Sequence, residues 1–128
     1  MLPLHEMQKA VFDKLVPVLA PVPVLDNAGP NQAYPYVTLG EFIGLPQDTL
    51  DKSGINTELT IHSWSRQLGM AEISELMTAV WDTLHRQDLP LQTCQFVAMR
   101  CDNAQTLRDA DGRTRHGIVR VVIQTFQV

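Results

Sequence analysis

Met70-Ala71-Glu72-Ile73-Ser74-Glu75-Leu76-Met77-Thr78-Ala79-Val80-Trp81-Asp82-Thr83-Leu84 is the stretch on which the fold turns. Met70, Ile73, Met77, Val80 and Leu84 recur at three- and four-residue spacing, and Leu76 and Trp81 widen the stripe. This spacing predicts an amphipathic helix with one face turned to a core. Glu72 and Glu75 fall in its early turns and His85 and Arg86 in its last, an order that suits the helix dipole. Leu89-Pro90-Leu91 ends it. Upstream, Thr57 to Trp64 reads as a strand with Leu59 and Ile61 on one side and His62 on the other. Before that, Tyr36 to Phe42 alternates apolar and polar residues, as a half-buried strand does. Leu45 to Ile55 carries Pro46, Asp48, Asp51, Ser53 and Gly54 and reads as an exposed hairpin loop. Two strands so close in sequence pair most simply as an antiparallel hairpin.

Further out, Leu4, Met7, Val11 and Leu15 mark one face of a first helix. Pro17 should end it near Val16, because proline has no N–H to donate and disfavours helix at the residue before it. Val18 to Val24, punctuated by Pro21 and Pro23, reads as an extended connection against the core, and Asp26 to Asn31 as a loop. On the C-terminal side, a third strand runs through Phe96-Val97-Ala98-Met99, with an irregular extension to Leu107. Asp109-Ala110-Asp111-Gly112 is a turn, and Gly117 to Val128 is a strand rich enough in Val and Ile to lie inside a sheet. The order α-β-β-α-β-β defines an α+β fold: a single, mainly antiparallel sheet with two helices packed on one face, in one domain spanning residues 1–128.

Composition narrows the function. Apolar residues make up 45% and charged residues 19%, which is globular and somewhat short of charge, leaving uncharged surface for contacts. Ten Lys and Arg against fourteen Asp and Glu give a formal charge of −4. Such a balance speaks against specific nucleic-acid binding, which needs clustered cations to neutralise phosphates. No run of about 18 apolar residues predicts a membrane span, and the start Met1-Leu2-Pro3-Leu4-His5-Glu6 lacks the pattern of a signal peptide, so a cytoplasmic site of synthesis is expected. Cys94 and Cys101, the two cysteines, are seven apart. On one regular strand an odd separation sends them to opposite faces, so they are expected to be unpaired, reduced thiols.

A search for chemistry finds none. The four histidines stand in no H-E-x-x-H spacing and the cysteines in no C-x-x-C pair, so no metal or other cofactor is expected. Asp109-x-Asp111-Gly112 begins like a calcium loop, but Arg113 occupies the next ligand position and the closing Glu is missing; a tight turn explains it better. Ser53, Ser63, Ser65 and Ser74 sit in no G-x-S-x-G elbow, and there is no phosphate-binding loop. Trp64 and Trp81, isolated from clustered Lys and Arg, are expected to pack in or beside the core. A catalytic role is not expected.

Three stretches together are more informative: Tyr34-Pro35-Tyr36-Val37-Thr38-Leu39-Gly40, Leu59-Thr60-Ile61-His62-Ser63-Trp64-Ser65-Arg66, and Leu107-Arg108-Asp109-Ala110-Asp111-Gly112-Arg113-Thr114-Arg115-His116-Gly117. Their order and spacing resemble the tail-completion, or tail-terminator, proteins of long-tailed bacteriophages, prophages and gene-transfer particles. The resemblance runs over nearly the whole chain and departs at Gln67-Leu68, where a small, Gly-containing link is expected. It implies a ring, typically a hexamer, that caps the growing tail tube and presents a surface to the head–tail connector, in the virion at the head-proximal end of the tail. The implied partners are further copies of the chain, the tail tube protein and the connector protein. The resemblance brings no catalytic residues with it. Exposed hairpin tips are the expected assembly interface: Asp48, Asp51 and Lys52 in the first, Arg108, Asp109, Asp111, Arg113 and Arg115 in the second, with Arg66 a further candidate for ion pairs between subunits. Another head–tail joining or tail-assembly role is the near alternative, and a small cytoplasmic enzyme the distant one.

Overall fold

The computed structural model describes residues 2–127. Helix α1 spans Leu4–Leu19, with Met7, Val11 and Leu15 wholly buried and Leu4 partly so. The helix does not stop before Pro17 but runs one residue past Val18. Proline removes a single hydrogen bond near the end of the helix, and the burial of Leu15 and Leu19 holds the last turn in place. Ala20 N–H closes it by donating to the Val16 carbonyl. The connection that follows includes a strand that the sequence reading did not separate. This is β1, Val24–Leu25, which pairs parallel to Val37 and Thr38.

Strands β2 (Tyr36–Pro46) and β3 (Gly54–Ser65) form the expected antiparallel hairpin. Both run further than their alternation suggests: Leu45 pairs with Asn56 and Pro46 with Ile55, so the tip shrinks to residues 47–53. Helix α2 spans Ala71–Leu84 and buries Ile73, Leu76, Met77, Val80 and Leu84. Met70 does not join that stripe; it caps the N-terminus and is 44% exposed. His85 lies just beyond the other end, at the C-cap, and Arg86 follows with φ of 60°. Strand β4 (Cys94–Arg108) is one long strand rather than a short one with a ragged extension, and β5 (Arg115–Gln127) completes the sheet in the order β1-β2-β3-β5-β4.

Strand β5 is interior, hydrogen-bonded along its whole length to β3 and β4. Its Val119, Val121 and Ile123 have no exposed surface and face Leu59, Ile61 and the two helices as one core. Trp81 packs against that core, while Trp64 lies on the other face of the sheet. Gly117 sits where α2 crosses β5; a Cβ there would come within 2.6 Å of the Met77 sulfur. The helices therefore cover one face of the sheet and leave the other open, as the sequence implies.

The cysteines are buried and unpaired, although the parity argument for it fails. Cys94 lies opposite Gln127 and Cys101 opposite Val121, an even separation on β5, so both point to the helix side. An extra residue between Phe96 and Ala98 resets the alternation. Distance along the strand, about 20 Å, keeps them apart. Burial, followed by the Asp82 charge, pushes the Cys101 thiol up to about 12, so it is inert at neutral pH.

Candidate assembly surfaces

The residues singled out as an interface fall at two opposite ends of the sheet, about 40 Å apart by the length of β5. At one end is the β4–β5 turn. Asp111 organises it: its carboxylate accepts from the backbone N–H of Arg113 and Thr114, both at 2.8 Å, and from the Thr114 hydroxyl at 2.7 Å. The bonds from Thr114 and Arg113 hold its carboxyl down at about 2, below the usual carboxylate range. Gly112 takes φ of +69°, which closes the turn and which side chains rarely adopt. Asp111 thus serves the turn itself, and no calcium loop is built around it.

Arg66 is likewise engaged within the chain. Its Nε donates to the Thr114 hydroxyl at 3.1 Å, its guanidinium lies 4.3 Å from the Tyr34 ring centroid, and Asp111 stands 3.8 Å from Nη2. This ties the link after β3 to the turn. Arg115 rests Nη1 on the Met70 sulfur at 3.1 Å. Arg108 and Arg113 are exposed and have no ion pair among the described residues, and Asp109 is partly exposed.

The β2–β3 tip forms the other end. Gly54 N–H donates to Asp48, Gln47 N–H to the Gly54 carbonyl, and the Thr49 hydroxyl to Asp51. Lys52 leans over Phe126, 5.6 Å from the ring centroid. Leu50, at the apex, is fully exposed. A groove of about 390 Å³ opens beside this tip on the helix side of the sheet.

The open face of the sheet holds a cluster that the sequence reading did not assemble. Trp64 and His116 pair across β3 and β5 and stack with centroids 3.8 Å apart. Tyr36 flanks Trp64, and His62 Nδ1 lies 2.6 Å from His116 Nε2. Glu41 is 3.3 Å from the other nitrogen of His62. His62 and Trp64, two apart on one strand, signalled a shared face; His116 needed the register, which local sequence does not reveal. Burial, with the adjacent His62, depresses the His116 pKa below its ordinary value of 6.5. The unfolded chain then binds a proton that the folded chain refuses. Stability from this group is complete above about pH 6.5 and declines as acid drives the pH toward the lowered folded value. Urea midpoints measured between pH 7 and 5 should fall with acid, and His116→Gln should flatten that slope. An unchanged slope would assign it elsewhere.

Among the described residues, no three His, Cys, Asp or Glu side chains gather in a way that could hold a metal ion, and no helix is long and apolar enough to cross a membrane. The His62–His116 pair is stacked within a wall of aromatic rings. The model of the family "Tail completion protein gp17" matches residues 9–125, and this chain belongs to that family. The tail completion protein gp17 of Bacillus phage SPP1 is 31% identical over 119 residues, covering 90% of this chain and 88% of the relative. The solved structure of SPP1 gp17 superposes with a TM-score of 0.62 at 27% identity, over 97% of this chain and 89% of that one. A chain from the virion of a native gene transfer agent particle has the same fold, with a TM-score of 0.83 at 21% identity and 94% of each chain covered. The chain is accordingly a structural protein of the phage-tail completion type, not an enzyme.

Proposed function

We propose that this chain, acting as one domain over residues 1–128, is the terminator of a phage-type tail. Copies close into a ring, a hexamer in the simplest form, that caps the tail tube, stops its growth and offers the surface to which the head–tail connector docks. The observation that carries this reading is the family match across residues 9–125. It is supported by the two exposed polar tips, which leave the core undisturbed when they order against a partner. A ring of six chains, each with a formal charge of −4, carries about −24, a field that discourages DNA from adhering to a central channel. The workplace implied is the head-proximal end of the tail, after synthesis in the host cytoplasm, with no membrane and no cofactor involved.

Particles assembled without this chain should comprise heads lacking tails and tails of irregular, excessive length, both visible by negative-stain microscopy. Tails of normal length that still join heads would rule the terminator role out. Normal tails that fail to join heads would favour a purely head-joining role.

A further inference from the structure

The two ends of the sheet differ in charge, and each leaves an apolar feature uncovered. At the β4–β5 turn, Arg66, Arg108, Arg113 and Arg115 outnumber Asp109, Asp111 and Glu72, the last held there by the Ser65 hydroxyl at 2.6 Å. Leu68, in the neighbouring link, is 95% exposed, with nothing of its own chain to pack against. This is where the sequence departs from the small link expected at that position. At the β2–β3 tip the balance reverses: Asp48 and Asp51, with Glu6 nearby, outnumber Lys52. Glu6 reaches this end through Thr93, whose hydroxyl it accepts at 2.7 Å. The groove beside the tip is lined by Leu2, Pro3, Pro46, Ile55, Cys94 and Thr125 among others. At about 390 Å³ it lies at the small end of ligand-sized clefts, with room for a leucine side chain.

We propose that the groove's occupant is a second copy of this chain, docked head to tail: Leu68 of one subunit enters the groove of the next, with Arg113 and Arg115 facing Asp48 and Asp51. The inference rests on the ring reading above. One chain carries both complementary patches, which a heterologous self-contact requires; a partner of another kind would need only one of them. Opposite charge around an apolar centre fixes which end meets which, since turn against turn or tip against tip brings like charges together. Repetition of one such contact closes a ring when the rotation between copies divides the circle.

The test joins the two sites covalently. Leu68 and Ser53, which also lines the groove, are both exposed, so Leu68→Cys and Ser53→Cys leave the core intact. The purified full chain carrying both, oxidised at concentrations up to about 1 mM, should give a ladder of covalent trimers and larger species on denaturing gels. Because Cys94 also lines the groove, all variants are made in a Cys94→Ala background, in which either single variant should stop at dimers. Arg113→Glu/Arg115→Glu should lower the ladder yield at least tenfold, and adding Asp48→Lys/Asp51→Lys to the same chain should restore it. Circular dichroism verifies folding, and Asp51→Lys alone serves if Asp48→Lys disturbs the tip. Absence of species beyond dimers from the doubly substituted chain, or a ladder indifferent to charge reversal, overturns the proposal. If particles lacking the chain have tailless heads and overlong tails yet no ladder forms, the terminator reading stands and this contact alone falls.

Discussion

Ile73→Ala or Leu84→Ala lowers the unfolding free energy by about 2–5 kcal/mol, the range for deleting a fully buried aliphatic side chain. Neither residue has any exposed surface. Ile73 also packs at the crossing of α2 over β5, where Gly117 lets the backbones approach. Alanine leaves a void there, and neighbours pinned on both strand and helix can collapse into it only in part. Since a domain of this kind is stable by about 5–15 kcal/mol, either change removes a large share of the margin. Met70→Ala provides the contrast. It lies on the same nominal stripe but is 44% exposed, and its replacement should stay within about 0.5 kcal/mol. Urea denaturation of the three variants side by side checks the helix phase directly; equal losses would refute it.

Gly54→Ala is the second large effect, and it acts on the proposed contact end. A Cβ at Gly54 would stand 2.5 Å from the Gln47 carbonyl oxygen and 2.9 Å from the Phe126 ring. The carbonyl belongs to the backbone that closes the tip, so the strain cannot be relieved by turning a side chain. The hairpin must open or β5 must shift, at a cost of about 1–3 kcal/mol. Gly29→Ala, with nothing within 4 Å of its Cβ, should be close to neutral. Calorimetry of both variants measures the difference. If Gly54→Ala leaves stability unchanged, the tip is looser than described. Because Asp48 bonds to the Gly54 N–H, the same variant should also displace the acidic residues and weaken assembly.

The helices and the β2–β3 hairpin were legible because burial stamps a period on them: Met7, Val11 and Leu15 at helical spacing, Leu59 and Ile61 at strand spacing. The long strand β4 was not. As an outer strand it shows solvent-facing residues such as Asp102, Asn103 and Gln105, and its two bulges break the alternation that remains. The same irregularity defeated the parity argument for Cys94 and Cys101, although the thiols are unpaired. Two-residue β1 is too short to have a period, and Pro17 misled because its effect depends on how firmly neighbours such as Leu15 and Leu19 are buried. The two tips were legible as turns from their chemistry, such as Asp111-Gly112. Their division into two opposite ends, and the gathering of His62, Trp64 and His116 on the open face, depend on strand register, which is a property of the folded sheet.

The position of β5 has a consequence for the timing of folding. It is the last strand along the chain, yet it separates β3 from β4, and β4 has no other neighbour. While the ribosome is still making residues 94–108, the strand they form has nothing to pair with, and the strand that α2 crosses at Gly117 does not yet exist. The two helices, the β2–β3 hairpin and β1, which pairs with β2, can form early. The sheet then closes in one step when residues 115–127 emerge and slot between two waiting edges, through contacts far apart in sequence, which folds slowly by comparison with helical bundles. Nascent chains stalled before that point should remain sensitive to protease along β4.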